Sequence, residues 1–125
     1  MKILNENMIK NLSFPDFEVE KMEFFLQEKV LKISVEGAWL EINGGIQLGK
    51  GVLFFKDWES LSINRFNSTS EKWSPIEEAS AESLRDLCEV KFFDSVISLC
   101  GFGSHTGQWI EWKIVNAKIY AEFDS

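Results

Sequence analysis

The chain has 125 residues, of which 45% are hydrophobic and 14% aromatic, and its 13 Lys and Arg against 20 Asp and Glu give a net charge of −7. This composition excludes a disordered chain, and the length predicts one globular domain over residues 1–125. Nucleic acid and anionic membranes are not expected as partners, because binding to phosphates depends largely on Lys and Arg.

The chain also shows no sign of export. Its first residues lack the apolar core and cleavage site of a secretory signal, and no run approaches the roughly 18 apolar residues of a membrane span. Cys88 and Cys100 would pair only in an oxidising compartment, so we interpret both as buried free thiols. We therefore expect a cytoplasmic protein.

The first half of the chain shows the two-residue alternation of β-strands. Residues 1–15 form a short lead-in, with one or two helical turns expected over residues 4–12. Apolar residues then alternate from Leu31 to Val35 and again from Ala38 to Ile42. This pattern predicts a long strand with a bulge or bend at Gly37.

A hairpin should follow this strand at once. Asn43-Gly44-Gly45 readily supplies the positive φ angles of a tight turn, so residues 46–55 should return antiparallel. Gly49 and Gly51 should loosen the middle of this returning strand. Residues 61–66 alternate again and predict a further strand.

The polar stretch beyond that strand ends in a helix signal. Ser74 can cap free N–H groups, Pro75 suits the first helical position, and the early Glu77 and Glu78 suit the helix dipole. We predict one short helix between residues 75 and 87.

The remainder returns to β structure. Strands are predicted over Val90–Leu99, Trp109–Val115 and Ala117–Phe123, and the glycine-rich run from Gly101 to Gly107 forms a turn between the first two. The apolar face changes at Val115-Asn116, which requires a bulge or tight turn there.

About seven short strands joined mostly by brief turns, with one short helix, predict a mainly β fold, either an antiparallel β-sandwich or a partly open barrel. A parallel sheet would need helical crossovers between successive strands, and only one convincing helical segment exists.

Catalytic and metal chemistry find little support. His105 is the only histidine, and no G-x-S-x-G motif supplies a nucleophile, so we interpret His105 as a loop residue. The two cysteines and one histidine lack the paired spacing of a structural zinc site, and no EF-hand loop is present. We expect no metal and no other cofactor.

Two glycine pairs resemble phosphate-binding loops only in part. Gly101-Phe102-Gly103 precedes a predicted strand where a dinucleotide loop would precede a helix, and Gly49-Lys50-Gly51 lacks the G-K-[ST] ending of a P-loop. We interpret both as hairpin glycines.

Paired carboxylates on a β scaffold are the remaining catalytic arrangement, as in glycoside hydrolysis. Five acidic residues lie in or beside predicted strands: Glu36, Glu41, Asp57, Asp94 and Glu111. Because charged groups are usually exposed and 20 acids make accidental pairs common, we interpret these as solvated side chains and expect no enzyme.

The chain is rich in tryptophan, with Trp39, Trp58, Trp73, Trp109 and Trp112. The odd spacing of the last two should place them on opposite faces of one strand. Most of the five are expected in the core, while an exposed one could stack on a sugar or anchor a protein partner.

The negative charge is concentrated in two windows, residues 16–28 and 71–94, each with a net charge of −4. The rest of the chain sums to +1. If the two windows meet in space, they form a negative patch that can steer a basic protein.

Parts of the β-rich region resemble small bacterial β-domain proteins, among them immunity proteins that neutralise polymorphic toxins. The resemblance rests on Val35-Glu36-Gly37-Ala38-Trp39-Leu40, on Gly51-Val52-Leu53-Phe54-Phe55-Lys56-Asp57-Trp58 and on Glu111-Trp112. It extends over residues 17–123 as a general pattern and transfers no site residue.

The leading hypothesis is a noncatalytic bacterial protein-binding domain, of the immunity-protein kind, that occludes a basic toxin with an acidic surface. The predicted partner-binding residues are Trp73, Glu77, Glu78, Glu82 and Asp86. The alternatives are a small-molecule or carbohydrate-binding β domain, with exposed tryptophans lining a cleft, and a carboxylate-based hydrolase. The oligomeric state stays open, because edge strands can pair between subunits.

Overall fold

The computed structural model describes residues 2–15 and 17–124 and is mainly β, with 58% of residues in strands and 6% in helix. The strands in chain order are β1 Lys2–Leu4, β2 Leu12–Ser13, β3 Val19–Phe25, β4 Val30–Val35, β5 Ala38–Leu40, β6 Ile46–Leu48, β7 Gly51–Lys56, β8 Ser60–Asn67, β9 Lys72–Pro75, β10 Glu89–Phe93, β11 Val96–Phe102, β12 Trp109–Val115 and β13 Lys118–Phe123. The predicted mainly β, antiparallel class is confirmed. These strands outnumber the seven or so expected, because several have only two to four residues and carry little alternation.

The strands form three antiparallel sheets without a closed barrel. The first sheet has the order β1-β13-β7-β4-β3, the second has the order β10-β11-β12-β8-β9, and the small third sheet has the order β2-β5-β6. Alternate residues of the two larger sheets are buried in one hydrophobic cluster. Phe24 of β3 and Trp112 of β12 meet there with ring centroids 5.3 Å apart, so the two larger sheets share a core.

One long hairpin passes through two sheets. The chain leaves the first sheet at Glu36-Gly37, pairs β5 with β6 in the third sheet, and returns to the first sheet at Gly49-Lys50. The tight turn predicted at Asn43-Gly44-Gly45 is confirmed, with positive φ at all three residues. The bend predicted at Gly37 and the loosening predicted at Gly49 and Gly51 both coincide with interruptions of the strands. The change of sheet at these glycines was not predicted, and it divides each predicted strand between the first and third sheets.

The helix predicted between residues 75 and 87 is absent. Ser74 and Pro75 belong to β9, the N–H of Ile76 continues that ladder by donating to the carbonyl of Ile63 at 2.8 Å, and only a single 3₁₀ turn follows at Glu78–Ser80. The Ser74 hydroxyl caps no helix and instead accepts from Nε of Arg65 at 3.3 Å, while the 3₁₀ turn has no side-chain cap. Strand pairing satisfies this backbone, whereas a short isolated helix is unfavourable to nucleate. The chain's α-helix is instead α1, Glu6–Ile9, in the lead-in where one or two turns were expected.

Two positive-φ turns organise the C-terminal half. Asp94, with φ 53°, turns β10 into β11, so the predicted strand Val90–Leu99 is a hairpin. Asn116, with φ 56°, lies where the apolar face was predicted to change. This change is a turn that carries the chain from β12 in the second sheet to β13 in the first.

Candidate partner-binding surface

Four of the five predicted partner-binding residues lie in residues 76–88, which we call the acidic connection. It links β9 to β10, the two edge strands of the second sheet. The N–H of Arg85 donates to the carbonyl of Phe102 at 2.7 Å, and the carbonyl of Arg85 accepts from the N–H of Val19 at 2.9 Å. The acidic connection is therefore hydrogen-bonded to both large sheets.

Glu82 fixes the loop that follows β11. One oxygen of its carboxylate, Oε1, accepts hydrogen bonds from the backbone N–H groups of His105 and Thr106, both at 2.9 Å. Burial alone raises the pKa of Glu82, but the hydrogen bonds from Thr106 and His105 together lower it below its ordinary value. Glu82 acts inside the molecule as an anionic acceptor.

Asp86 has a similar internal role. Its Oδ1 accepts from the backbone N–H of Phe102 at 3.0 Å and from the thiol of Cys88 at 3.3 Å, and its Oδ2 lies 3.6 Å from Nε of Arg85. The carboxylates of Glu82 and Asp86 thus position the acidic connection. From the sequence, this internal role could not be distinguished from exposure to a binding partner.

The other three predicted residues are exposed. Trp73 lies on the edge strand β9 and is 49% exposed, with its ring centroid 5.3 Å from that of Phe66. Glu77 and Glu78 lie at the start of the 3₁₀ turn, and neither forms a salt bridge with any residue that the structure describes. An anchoring ring and two uncompensated carboxylates therefore follow one another along the edge.

Four aromatic side chains form a line across the second sheet, which we call the aromatic row: Phe102, Trp109, Phe66 and Trp73. Each is the direct cross-strand partner of the next, from β11 through β12 and β8 to β9. The ring planes are inclined, by 75° between Phe102 and Trp109 and by 59° between Phe66 and Trp73. The row was not predicted from the sequence because it depends on the register of four strands. Only Phe66 and Trp109 lie on strands that were predicted, whereas Phe102 and Trp73 were expected outside strands.

The other tryptophans divide between core and surface. Trp58 and Trp112 are buried, whereas Trp39 and Trp109 are half-buried. The contrast between Trp109 and Trp112 agrees with the opposite orientation predicted for them on one strand.

The two acidic windows touch each other. Glu18 and Asp86 form an isolated antiparallel bridge beside an open cavity of about 830 Å³. The cavity is lined by Ser13, Phe14, Pro15, Phe17, Glu18, Glu41, Asp86, Leu87 and Cys88. Asp16, which was counted in the first window, lies outside the described residues.

The two cysteines and the single histidine are the remaining side chains with catalytic potential. Cys100 is buried and free as predicted, while Cys88 is free but exposed. Burial raises the pKa of both thiols. At Cys88 burial and the hydrogen bond to the Asp86 carboxylate together raise the pKa to about 11. His105 is exposed in its loop.

The five acidic residues considered as catalytic pairs each interact with a different part of the structure. Glu111 accepts from the Ser98 hydroxyl at 2.7 Å, and Glu41 accepts from the Ser13 hydroxyl at 3.1 Å. Glu36 accepts from the N–H of Glu18, Asp57 lies 3.5 Å from Nζ of Lys118, and Asp94 occupies the β10–β11 turn. Each carboxylate thus has a local structural setting of its own.

Over residues 2–15 and 17–124, no three His, Cys, Asp or Glu side chains cluster as metal ligands would. In the same part of the chain, none of the helices has the length and apolar character that crossing a membrane requires. Comparison with known proteins found no matching family model, no matching curated protein and no matching solved structure.

Proposed function

We propose that this chain is a noncatalytic protein-binding domain that recognises a basic protein through β9 and the acidic connection. The observation that carries the proposal is Trp73, 49% exposed on an edge strand. It is followed by the carboxylates of Glu77 and Glu78, which form no salt bridge within residues 2–15 and 17–124. Exposed tryptophans are enriched among the residues that dominate binding energy, and nearby charges steer a partner of opposite sign.

The acidic connection is held in place beyond Glu77 and Glu78. Glu82 and Asp86 hold the acidic connection through hydrogen bonds to backbone N–H groups, and Arg85 pairs with strands on both sides. Binding to such a surface costs less ordering entropy than binding to a free loop. In this proposal Glu82 and Asp86 contribute to affinity by positioning the surface.

The partner should present Lys or Arg together with an apolar pocket for the indole of Trp73. The cavity at the far end of the acidic connection has the same preference, because Glu18, Glu41 and Asp86 line it together with Phe14 and Phe17. A cationic side chain with an apolar stem fits such a lining. A basic toxin neutralised by an immunity protein of this kind is the class of partner that we propose, in a bacterial cytoplasm.

Carbohydrate binding is the second candidate, favoured by the aromatic row. Its rings are inclined to one another by 59° and 75°, so they do not form the continuous flat platform on which several sugar rings could stack. The geometry therefore favours a protein partner. Saturable quenching of tryptophan fluorescence by an oligosaccharide, lost in Trp73→Ala, would favour the sugar instead.

The test is affinity capture from a lysate of the native organism with the immobilised protein, elution by a salt gradient, and mass spectrometry. A basic protein should be retained and should elute as salt rises, since screening weakens the attraction. Two variants, Trp73→Ala and the double charge reversal Glu77→Lys with Glu78→Lys, should each release it at lower salt.

A matched double reversal on the other face of the molecule, Glu23→Lys with Glu122→Lys, changes the net charge equally and should retain the partner. Both glutamates lie on strands of the first sheet. Equal loss from both double variants would reduce the effect to net charge and reject the proposed surface. Retention unaffected by Trp73→Ala would remove the anchor.

A further inference from the structure

The outward face of the second sheet is arranged in four rows that run across the strands. The aromatic row comes first, and two residues further along each strand comes a row containing Glu89 and Glu111. The third row contains Lys91 and Lys113, and the fourth contains Phe93, Val96 and Val115. The full order, aromatic to acidic to basic to apolar, is present on β12, and β10 continues its acidic, basic and apolar rows. At the charged rows, β11 and β8 contribute small or uncharged side chains.

This order is self-complementary when it is reversed. The outward residues of β12 are Trp109, Glu111, Lys113 and Val115. When β12 of one copy lies antiparallel over β12 of a second copy, Trp109 faces Val115 and Glu111 faces Lys113. The symmetry makes each of these pairs occur twice. On β10, Glu89 of one copy faces Lys91 of the other in the same way.

We propose that a second copy of this chain docks face to face on this sheet, about a twofold axis that runs across the strands between the acidic and basic rows. Such an axis places each strand over its own counterpart in the partner and brings opposite charges together, as an isologous interface requires. Phe102 then covers Val96 of the second copy, and Trp109 covers Val115.

The exposure of these residues agrees with a surface that is covered in the dimer. Phe93 is 76% exposed and Phe102 is 36% exposed, which is unusual for large apolar side chains. The pairs Lys91–Glu89 at 3.4 Å and Lys113–Glu111 at 3.8 Å are formed within single strands and are accessible to solvent, so they can be exchanged for pairs between copies.

The size of the face is sufficient for a small specific interface. Four strands, β8, β10, β11 and β12, about 4.8 Å apart and about 20 Å long give a flat area of roughly 380 Å² per copy. With the relief of the side chains, two copies bury roughly 1,000 Å² in total, which is the size of weak, reversible interfaces.

The dimer leaves the proposed partner-binding edge free. Trp73 lies on β9, which pairs with β8 only from Asn64 to Asn67 and so has no residue in the basic or apolar rows. Nothing on β9 of the second copy would cover it. Trp73 therefore lies at the margin of the dimer face, beside Phe66. The Lys113 and Trp73 variants change different residues, so the two proposals can fail separately.

The test is sedimentation equilibrium of the full chain over a range of concentrations, with circular dichroism to verify folding. Wild-type protein should dimerise. Lys113→Glu should raise the dimer dissociation constant by about tenfold or more, because it creates two like-charge contacts with Glu111 of the opposing copies. The swap Glu111→Lys with Lys113→Glu restores the self-complementary order and should bring the constant back to within a few-fold of wild type.

Lys56→Glu is the matched control, because it makes the same charge change on the outer face of the first sheet and should leave dimerisation unchanged. Val115→Arg, which should also separate the copies, tests the same face without altering Glu111. A wild-type monomer throughout the range, equal effects of Lys113→Glu and Lys56→Glu, or a folded double swap that stays monomeric would each overturn the proposal. A monomer that captures a different protein on this face would assign the face to that protein.

Discussion

The backbone N–H of Thr106 donates a 2.9 Å hydrogen bond to Oε1 of Glu82, across a sequence separation of 24 residues. The N–H of His105 donates to the same oxygen at the same distance. This single charged oxygen ties the loop after β11 to the acidic connection. The attachment of this loop to the acidic connection therefore depends on the ionisation of Glu82.

Stability should consequently fall when Glu82 is protonated. Its hydrogen bonds outweigh burial and leave its pKa below the ordinary value of about 4.3, so its contribution is complete above that pH and is lost as pH falls through the lower folded-state pKa. Glu82→Gln should lower the free energy of unfolding at neutral pH by about 1 kcal/mol and remove this part of the acid dependence. Urea unfolding at a series of pH values measures both.

Glu77→Gln supplies the comparison, since Glu77 is exposed and makes no side-chain hydrogen bond as the cap of the 3₁₀ turn. Its stability should follow that of the wild type across the pH range. If Glu82→Gln and Glu77→Gln gave superimposable curves, the hydrogen bonds to Glu82 would have no energetic role.

Local patterns predicted the strands well where both partners are close in sequence. The turn at Asn43-Gly44-Gly45 and the strand Trp109–Val115 are examples. The break at Gly37 was predicted, but the change of sheet was not, because a bulge, a bend and a change of sheet interrupt the alternation in the same way. The pairing of β5 with β2 and β6 makes the difference, and it involves residues far apart in the sequence.

The sequence predicted which residues belong to the candidate site, but not which of them face solvent and which bind the backbone. Trp73 and the following glutamates could be selected as an exposed, charged segment. The division between Glu77, which faces solvent, and Glu82, which binds backbone N–H groups, depends on where residues 103–107 fold. The aromatic row was not predictable because it requires the register of β8, β9, β11 and β12 together.

Gly101 lies at a close approach between the acidic connection and β11. A Cβ there would lie 2.1 Å from the backbone oxygen of Asp86, which cannot rotate away. Gly101→Ala should therefore lower the free energy of unfolding by about 3 kcal/mol, in the range of overpacked sites. Thermal or urea unfolding checks the value.

Gly49→Ala is the matched control, because a Cβ there would approach Asp124 only to 3.2 Å. We expect at most a small loss of stability. A similar loss for the two alanine variants would mean that the backbone of the acidic connection moves away from β11 at little cost.

Cys88 should react slowly in spite of its exposure. Although the residue is exposed, partial burial of its thiol raises the pKa, and the hydrogen bond to Asp86 adds to this effect. The pKa is about 11, so little thiolate exists near pH 8. Asp86→Asn keeps an acceptor oxygen but removes the charge, and should increase the rate of alkylation by iodoacetamide several-fold. Mass spectrometry of the labelled protein separates Cys88 from the buried Cys100, whose labelling should stay low in both proteins. An unchanged rate at Cys88 would show that burial alone controls this thiol.

Trp112 is fully buried at the centre of the shared core, and its Nε1–H has no acceptor among the residues that the structure describes. An unpaired buried donor costs about 1–3 kcal/mol. Trp112→Phe removes this cost while it loses packing contacts, so the free energy of unfolding should fall by only about 1 kcal/mol. Trp112→Ala should cost about 3–5 kcal/mol, and Phe55→Leu, at a site just as buried but without a polar atom, should show the cost of lost ring volume alone. Urea unfolding followed by circular dichroism compares all three, since the method does not depend on the tryptophan removed. A cost for Trp112→Phe close to that of Trp112→Ala would show that the indole N–H does not destabilise the core.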